Sequence, residues 1–253
     1  MSRITTTFAK QKPLLNIFIT AGYPQVNSLP ELANQLFTKG IAILEVGMPY
    51  SDPLADGPVI QQTSALALKN GITMAQIFDQ IKLIRKTEQQ APIFLMGYLN
   101  QLLQFGPESF LKACTDAEVD GLIIPDLPYE VYLSSYKPLF ERYGMAISFL
   151  ITPGTSEERI KALDAACNSF LYIVSDNSLT GAGKGQFSHS QLAYFKRIND
   201  MNLKNPTMIG FGSSSKNMLI EAGKYANGAI IGTAYLESIK REENEAFISE
   251  LTS

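Results

Sequence analysis

Eight short apolar runs, each followed by a stretch of helical spacing, predict an α/β fold: a single (β/α)8 TIM barrel with a short N-terminal helix. The runs are continuously apolar rather than alternating, as in parallel strands covered on both faces. Eight such units in about 250 residues is the size of one closed barrel, and the chain has 253 residues. No repeat, low-complexity tract or linker breaks the series, so residues 1–253 read as one domain. A doubly wound open sheet is the alternative, but it usually has fewer strands and a switch point.

In chain order, residues 3–10 have the spacing of a short amphipathic helix, and Leu14 to Thr20 is the first strand, stopped by Gly22 and Pro24. Leu29 to Phe37 has apolar residues at helical spacing, with Ser28 available as N-cap and Gly40 to end it. Ile41 to Val46 is the second strand; Ile60 to Leu68 and Thr73 to Lys86 are helical. Ile93 to Gly97 is the third strand, with Tyr98 and Asn100 just beyond it, and Pro107 to Ala117 is a helix with Pro in its first turn. Gly121 to Ile124 is the fourth strand; Tyr129 to Tyr143 is helical, with a kink or interruption expected at Pro138. Met145 to Ile151, Phe170 to Val174, Thr207 to Phe211 and Gly228 to Ile231 complete the strands. Helices are expected over Ser156 to Ala166, capped by Ser156, over Ser188 to Asn199, within Ser213 to Gly223, and over Ala234 to Lys240 and Glu243 to Leu251. Asn177 to Gln186 is polar and glycine-rich, and reads as a long loop that is either a lid or simply disordered.

Composition narrows the function. A net charge of −3 without a basic block argues against nucleic-acid binding. No apolar run approaches the ~20 residues that span a bilayer, and the N-terminus has no signal-peptide pattern, so a cytoplasmic location is expected. Cys114 and Cys167 fall in helical patterns and read as buried free thiols. The single histidine, His189, reads as a surface residue, and a His-rich or Cys/His metal centre cannot be assembled.

The most informative stretch runs from Glu45 to Pro58 and places Glu45 at the end of a strand and Asp52 and Asp56 on a turn stiffened by three prolines and bent by two glycines. Taken alone it is open between a surface turn and an active site. Barrel active sites lie at the C-terminal strand ends, and that rule gathers Glu45, Asp52, Asp56, Tyr98, Asn100, Asp126, Tyr172 and Thr180 at one rim. Glu45 is the acid/base candidate, because burial among Ile43, Leu44 and Val46 raises its pKa. The structural alternative is a buried ion pair, for which neighbouring strands offer almost no basic residue. Asp56, on a polar loop, is expected to stay ionised.

Gly210-Phe211-Gly212-Ser213-Ser214 follows the seventh strand, and Gly232-Thr233 the eighth. These two loops are where barrels commonly bind phosphate through backbone N–H groups and a helix N-terminus; tight turns without a ligand are the alternative. The remainder of such a substrate is expected against Phe18, Leu95, Met96, Tyr98, Ile123 and Phe211, each of which can equally be core.

The run Leu44-Glu45-Val46-Gly47-Met48-Pro49-Tyr50-Ser51-Asp52-Pro53-Leu54-Ala55-Asp56-Gly57-Pro58 resembles the signature of tryptophan synthase α subunits. Phe18 to Pro24, Met96 to Asn100, Asp126 to Pro128, Leu179 to Gly181 and Gly210 to Gly212 match in the same order. The resemblance implies a lyase of L-tryptophan biosynthesis that splits indole-3-glycerol phosphate into indole and glyceraldehyde 3-phosphate, formally classed among carbon–oxygen lyases. It implies Glu45 as the group that protonates the indole ring carbon, and Asp56 as the acceptor for the indole N–H. It implies Tyr172 and Thr180 at the substrate, beside the Phe18 and Tyr98 already expected there, and Gly181, Gly212, Gly232 and Thr233 at its phosphate, where Ser213 can add a hydroxyl donor. It further implies a β subunit as partner in an α2β2 assembly, with Tyr50 to Pro53 and Pro128 near the interface and indole passed across. Pyridoxal phosphate is expected only in that partner; no cofactor is expected here. Asp176 and Ser178 depart from the family's usual Arg and Gly in the sixth loop. Two other readings are another phosphate-binding barrel, such as an isomerase, and a non-catalytic scaffold that activates a β subunit. The intact Glu45 and Asp56 pair argues against both.

Overall fold

The computed structural model describes residues 2–10, 13–175, 186–212 and 215–253. Its order is α1 (Arg3–Phe8), β1 (Leu14–Thr20), α2 (Leu29–Thr38), β2 (Ile43–Gly47), α3 (Pro58–Lys69), α4 (Met74–Arg85), β3 (Ile93–Met96), α5 (Leu99–Phe105), α6 (Pro107–Asp116) and β4 (Gly121–Ile123). There follow α7 (Tyr129–Val131), a π-helical turn (Tyr132–Tyr136), α8 (Lys137–Arg142), β5 (Ala146–Ile151), α9 (Glu157–Ala166), β6 (Leu171–Val174) and α10 (His189–Asp200). The chain closes with β7 (Thr207–Phe211), α11 (Lys216–Ala222), β8 (Gly228–Ile231), α12 (Thr233–Lys240) and α13 (Asn244–Thr252). All eight strands are parallel, each pairs with the next, and β8 returns to β1, so the predicted barrel is closed.

Two apolar layers hold it. The larger lies between the sheet and the helices and includes Ile17, Ile19, Leu44, Val46, Leu95, Phe110 and Phe211. The smaller fills the barrel from within: Leu14, Ile43, Phe94, Ile123, Ala146, Phe170, Met208 and Ile230, with Ile4 and Phe8 of α1 packed beneath. Inward glycines make room for neighbouring rings. A Cβ added at Gly47 would stand 2.3 Å from the Phe18 ring, at Gly121 2.4 Å from Phe94, and at Gly210 2.4 Å from Tyr172. Each such glycine exchanges side-chain packing for an aromatic ring from the adjacent strand, and that keeps the interior of a small barrel filled.

Helix starts follow the predicted chemistry where a hydroxyl was available. Ser156 caps α9 by accepting from Arg159 N–H; Thr73, Ser188 and Ser215 cap α4, α10 and α11 in the same way. One expectation is corrected. Ser28 precedes α2 in helical conformation and makes no side-chain cap; its hydroxyl accepts from Gln25 N–H instead. The interruption expected at Pro138 takes the form of a five-residue π turn just before α8, which accommodates the missing N–H and the ring's bulk, and Pro138 sits in the first turn of α8. Tyr98 and Asn100 open α5, a helix not expected from the sequence, whose first N–H, from Leu99, is accepted by Asp126 at 2.8 Å.

Candidate active site

Glu45 sits on β2, and its side chain points into the barrel with 0% exposure. Phe18 on β1, its register partner, faces the same interior, with its ring over Gly47. The only hydrogen bond to Glu45 among the described residues is from Asn16 Nδ2 to Oε2, at 3.1 Å; Oε1 is buried without a partner. Among the described residues no Lys, Arg or His acts on it, so none of them makes the ion-pair alternative. Burial pushes the Glu45 carboxyl up to about 8; the Asn16 amide opposes this and the Asp56 charge adds to it. At neutral pH Glu45 is therefore largely a protonated acid in an apolar enclosure.

The β2–α3 loop brings Asp56 back over this mouth. Tyr98, at the start of α5, donates its hydroxyl to Asp56 Oδ2 at 2.8 Å and accepts Ala55 N–H at 2.9 Å. Tyr50 stacks on Tyr98 with centroids 5.1 Å apart, and Gln101 donates to Pro49 O at 2.9 Å. Gly97 allows this close seating, since a Cβ there would fall 2.4 Å from Met48. The loop is thus anchored to the residues after β3. Burial raises the Asp56 carboxyl above its ordinary value, and the Tyr98 hydroxyl partly offsets that. The two carboxyls consequently differ in degree rather than in direction, a smaller contrast than the sequence suggests. Asp52 is exposed and turned to Ser51.

The remaining candidates divide clearly. Tyr172 on β6 faces inward over Gly210, and its phenol is held well above its ordinary value by burial and by the Glu45 and Asp56 charges. Gly212 follows β7; Gly232 caps α12, and Thr233 is its first residue, so a helix N-terminus does meet the β8 rim. Thr180, Gly181 and Ser213, with Asp176 and Ser178, lie outside the described residues. Leu95 and Phe211 do not line the interior: Leu95 belongs to the layer under the helices, and Phe211 packs against Phe187 at 5.1 Å. Met96 and Ile123 do face inward. Asn16 is the residue that sequence reading missed; one polar side chain within Leu14 to Ile19 was the available signal. Among the described residues no group of three or more His, Cys, Asp or Glu is arranged to hold a metal ion. His189 is exposed, Cys114 and Cys167 are buried free thiols, and no helix among the described residues is long and apolar enough to cross a membrane.

Fold and site together define a (β/α)8-barrel enzyme built around an inward-facing acid, with a second carboxyl arched over it. The family model for the tryptophan synthase alpha chain matches residues 4–252. The tryptophan synthase alpha chain of Flavobacterium psychrophilum is 46% identical over 253 residues, covering 100% of this chain and 99% of its own. That of Parabacteroides distasonis is 47% identical over 247 residues, covering 97% and 95%. Among solved structures, the alpha subunit of Legionella pneumophila superposes with a TM-score of 0.89 at 31% identity, covering 100% of this chain and 97% of that one. The chain belongs to the tryptophan synthase alpha chain family.

Proposed function

We propose that this chain cleaves indole-3-glycerol phosphate to indole and glyceraldehyde 3-phosphate, with Glu45 as the acid/base and Asp56 as its charged partner. Family membership supplies the reaction. The observation that carries the residue roles is the fully buried, raised-pKa Glu45 beneath a loop that presents Asp56. Glu45 gives its proton to C3 of the indole ring, and the electron pair of the C2–C3 double bond forms the new C–H bond. Positive charge then rests on the ring nitrogen, where Asp56 accepts the N–H. The Glu45 carboxylate next takes the proton of the adjacent side-chain hydroxyl. That oxygen becomes the aldehyde, the C–C bond breaks, its electrons return to the ring, and Glu45 is protonated again. Phe18, Tyr98 and Tyr172, with Thr180, surround the reacting end. Gly181, Gly212, Ser213, Gly232 and Thr233 take the phosphate, whose binding energy orients the ring.

The whole chain acts as one domain, and its partner is a tryptophan synthase β subunit, in an α2β2 assembly in which that subunit carries the pyridoxal phosphate. A structural relative at TM-score 0.87 and 26% identity comes from Mycobacterium tuberculosis tryptophan synthase in an aminoacrylate-bound form. Leu54, 93% exposed beside the exposed Ser51 and Asp52, fits a docking role for this loop. Two buried free thiols and the biosynthetic family suit the cytoplasm.

Indole release from indole-3-glycerol phosphate, measured with and without a β subunit, tests the reading; no indole under either condition contradicts it. Gly232→Val is expected to raise KM for the phosphate substrate about tenfold or more by crowding the rim, with kcat less affected; unchanged saturation relocates the phosphate. Tyr98→Phe removes one hydrogen bond to the Asp56 carboxylate and one to Ala55. We expect kcat/KM to fall on the order of tenfold; wild-type kcat/KM contradicts a positioning role for Tyr98.

A further inference from the structure

From Leu14 to Ile19, β1 is apolar except for Asn16, which faces the barrel interior together with Leu14 and Phe18. The register sets Asn16 opposite Ile43 and Phe18 opposite Glu45, so Asn16 lies one level below Glu45 and reaches up to it. Both side chains are fully buried. An amide enclosed there costs about 1–3 kcal/mol unless it is hydrogen-bonded; its Nδ2 is bonded to Glu45 while its Oδ1 has no protein partner, and an aliphatic side chain would fill the position without that cost. We propose that Asn16 is a positioning residue for proton transfer: its amide holds Glu45 Oε2 as the accepting oxygen and leaves Oε1 as the oxygen that carries the proton to substrate. This rests on Glu45 being the acid of the proposed reaction.

The hydrogen bonds support the assignment. A carboxylic acid has one O–H and one carbonyl oxygen, and the oxygen that already accepts an N–H is the better carbonyl oxygen. Oε1, with no protein partner, is left to bear the proton. After transfer the charge is spread over both oxygens, and the same N–H becomes a charge-assisted bond to the carboxylate. Few other groups can take that role. The titratable groups that act on or feel Glu45 are Asp56 from the β2–α3 loop, itself bonded to Tyr98, and Tyr172 from β6. β3 contributes Phe94 and Met96 to the interior, and β1 contributes Phe18 beside Asn16. None of these carries positive charge, so Asn16 is the one described side chain that donates to the carboxylate.

Two variants test this. Asn16→Leu keeps the branching of the side chain and removes the donor; Asn16→Asp keeps the shape, removes the N–H and adds a second acid. The Glu45 midpoint is read from the carboxyl signal of 13C-labelled protein, assigned against Glu45→Gln, and compared with the alkaline limb of kcat/KM. Loss of the donor removes support from the charged form, so both the midpoint and the limb are expected to move up by about one pH unit in Asn16→Leu. The shift in Asn16→Asp is expected to be at least as large. A Glu45 midpoint unchanged in both variants overturns the proposal. A midpoint that rises while the rate limb stays in place overturns Glu45 as the acid, and the role of Asn16 with it. A change confined to packing moves neither.

Discussion

Glu45→Gln is expected to lower indole release by about 10²–10⁴-fold, the usual contribution of a positioned general acid. The amide keeps the shape of the side chain and can still accept from Asn16, but it has no proton to give at neutral pH. The phosphate contacts are assigned to the rims of β7 and β8, remote from β2, so a phosphate-bearing ligand should bind the variant with near wild-type affinity. Separate measurement of kcat and of ligand Kd checks both parts. Near-normal turnover removes Glu45 from the chemistry, and loss of binding together with turnover points to a collapsed site instead.

The same substitution is expected to stabilise the protein, and increasingly so as the pH rises. The Glu45 carboxyl sits at about 8 in the folded chain against an ordinary value of 4.5. Between these values the folded state keeps a proton that the unfolded state releases, so unfolding is increasingly favoured as pH rises through that window. Each pH unit corresponds to about 1.4 kcal/mol, which gives at most about 3 kcal/mol by pH 7, and less where the interior relaxes around the charge. Glu45→Gln has no such dependence. Denaturant unfolding at pH 5 and pH 8 should show the variant's advantage small at the lower value and larger at the higher. A constant difference contradicts a buried, neutral Glu45. An active site that keeps an acid protonated thus carries a stability cost that its inactive variant escapes.

The barrel was legible because its strands are covered on both faces. β1, β7 and β8 have the bounds that their apolar runs suggest. That same two-sided coverage hid which residues face inward: Leu95 and Met96 are equally apolar, and only closure of the sheet sends one to the helices and the other to the interior. Glu45 was legible because a carboxyl in such a run has few bland explanations. Its partner Asn16 lies 29 residues earlier and is joined to it only through strand register. The start of α5 was hidden for a similar reason, since the Asp126 carboxylate that accepts its first N–H comes from beyond the next strand. The π turn before Pro138 shows a local signal read correctly as a disturbance, with a form that only packing decides.

The most direct test of the account is the titration of Glu45 itself in the free protein, followed by carboxyl 13C resonance with Glu45→Gln as the assignment control. Glu45 is expected to be protonated at pH 7, with a midpoint about 8. A midpoint in the ordinary glutamate range, about 4.3, contradicts it.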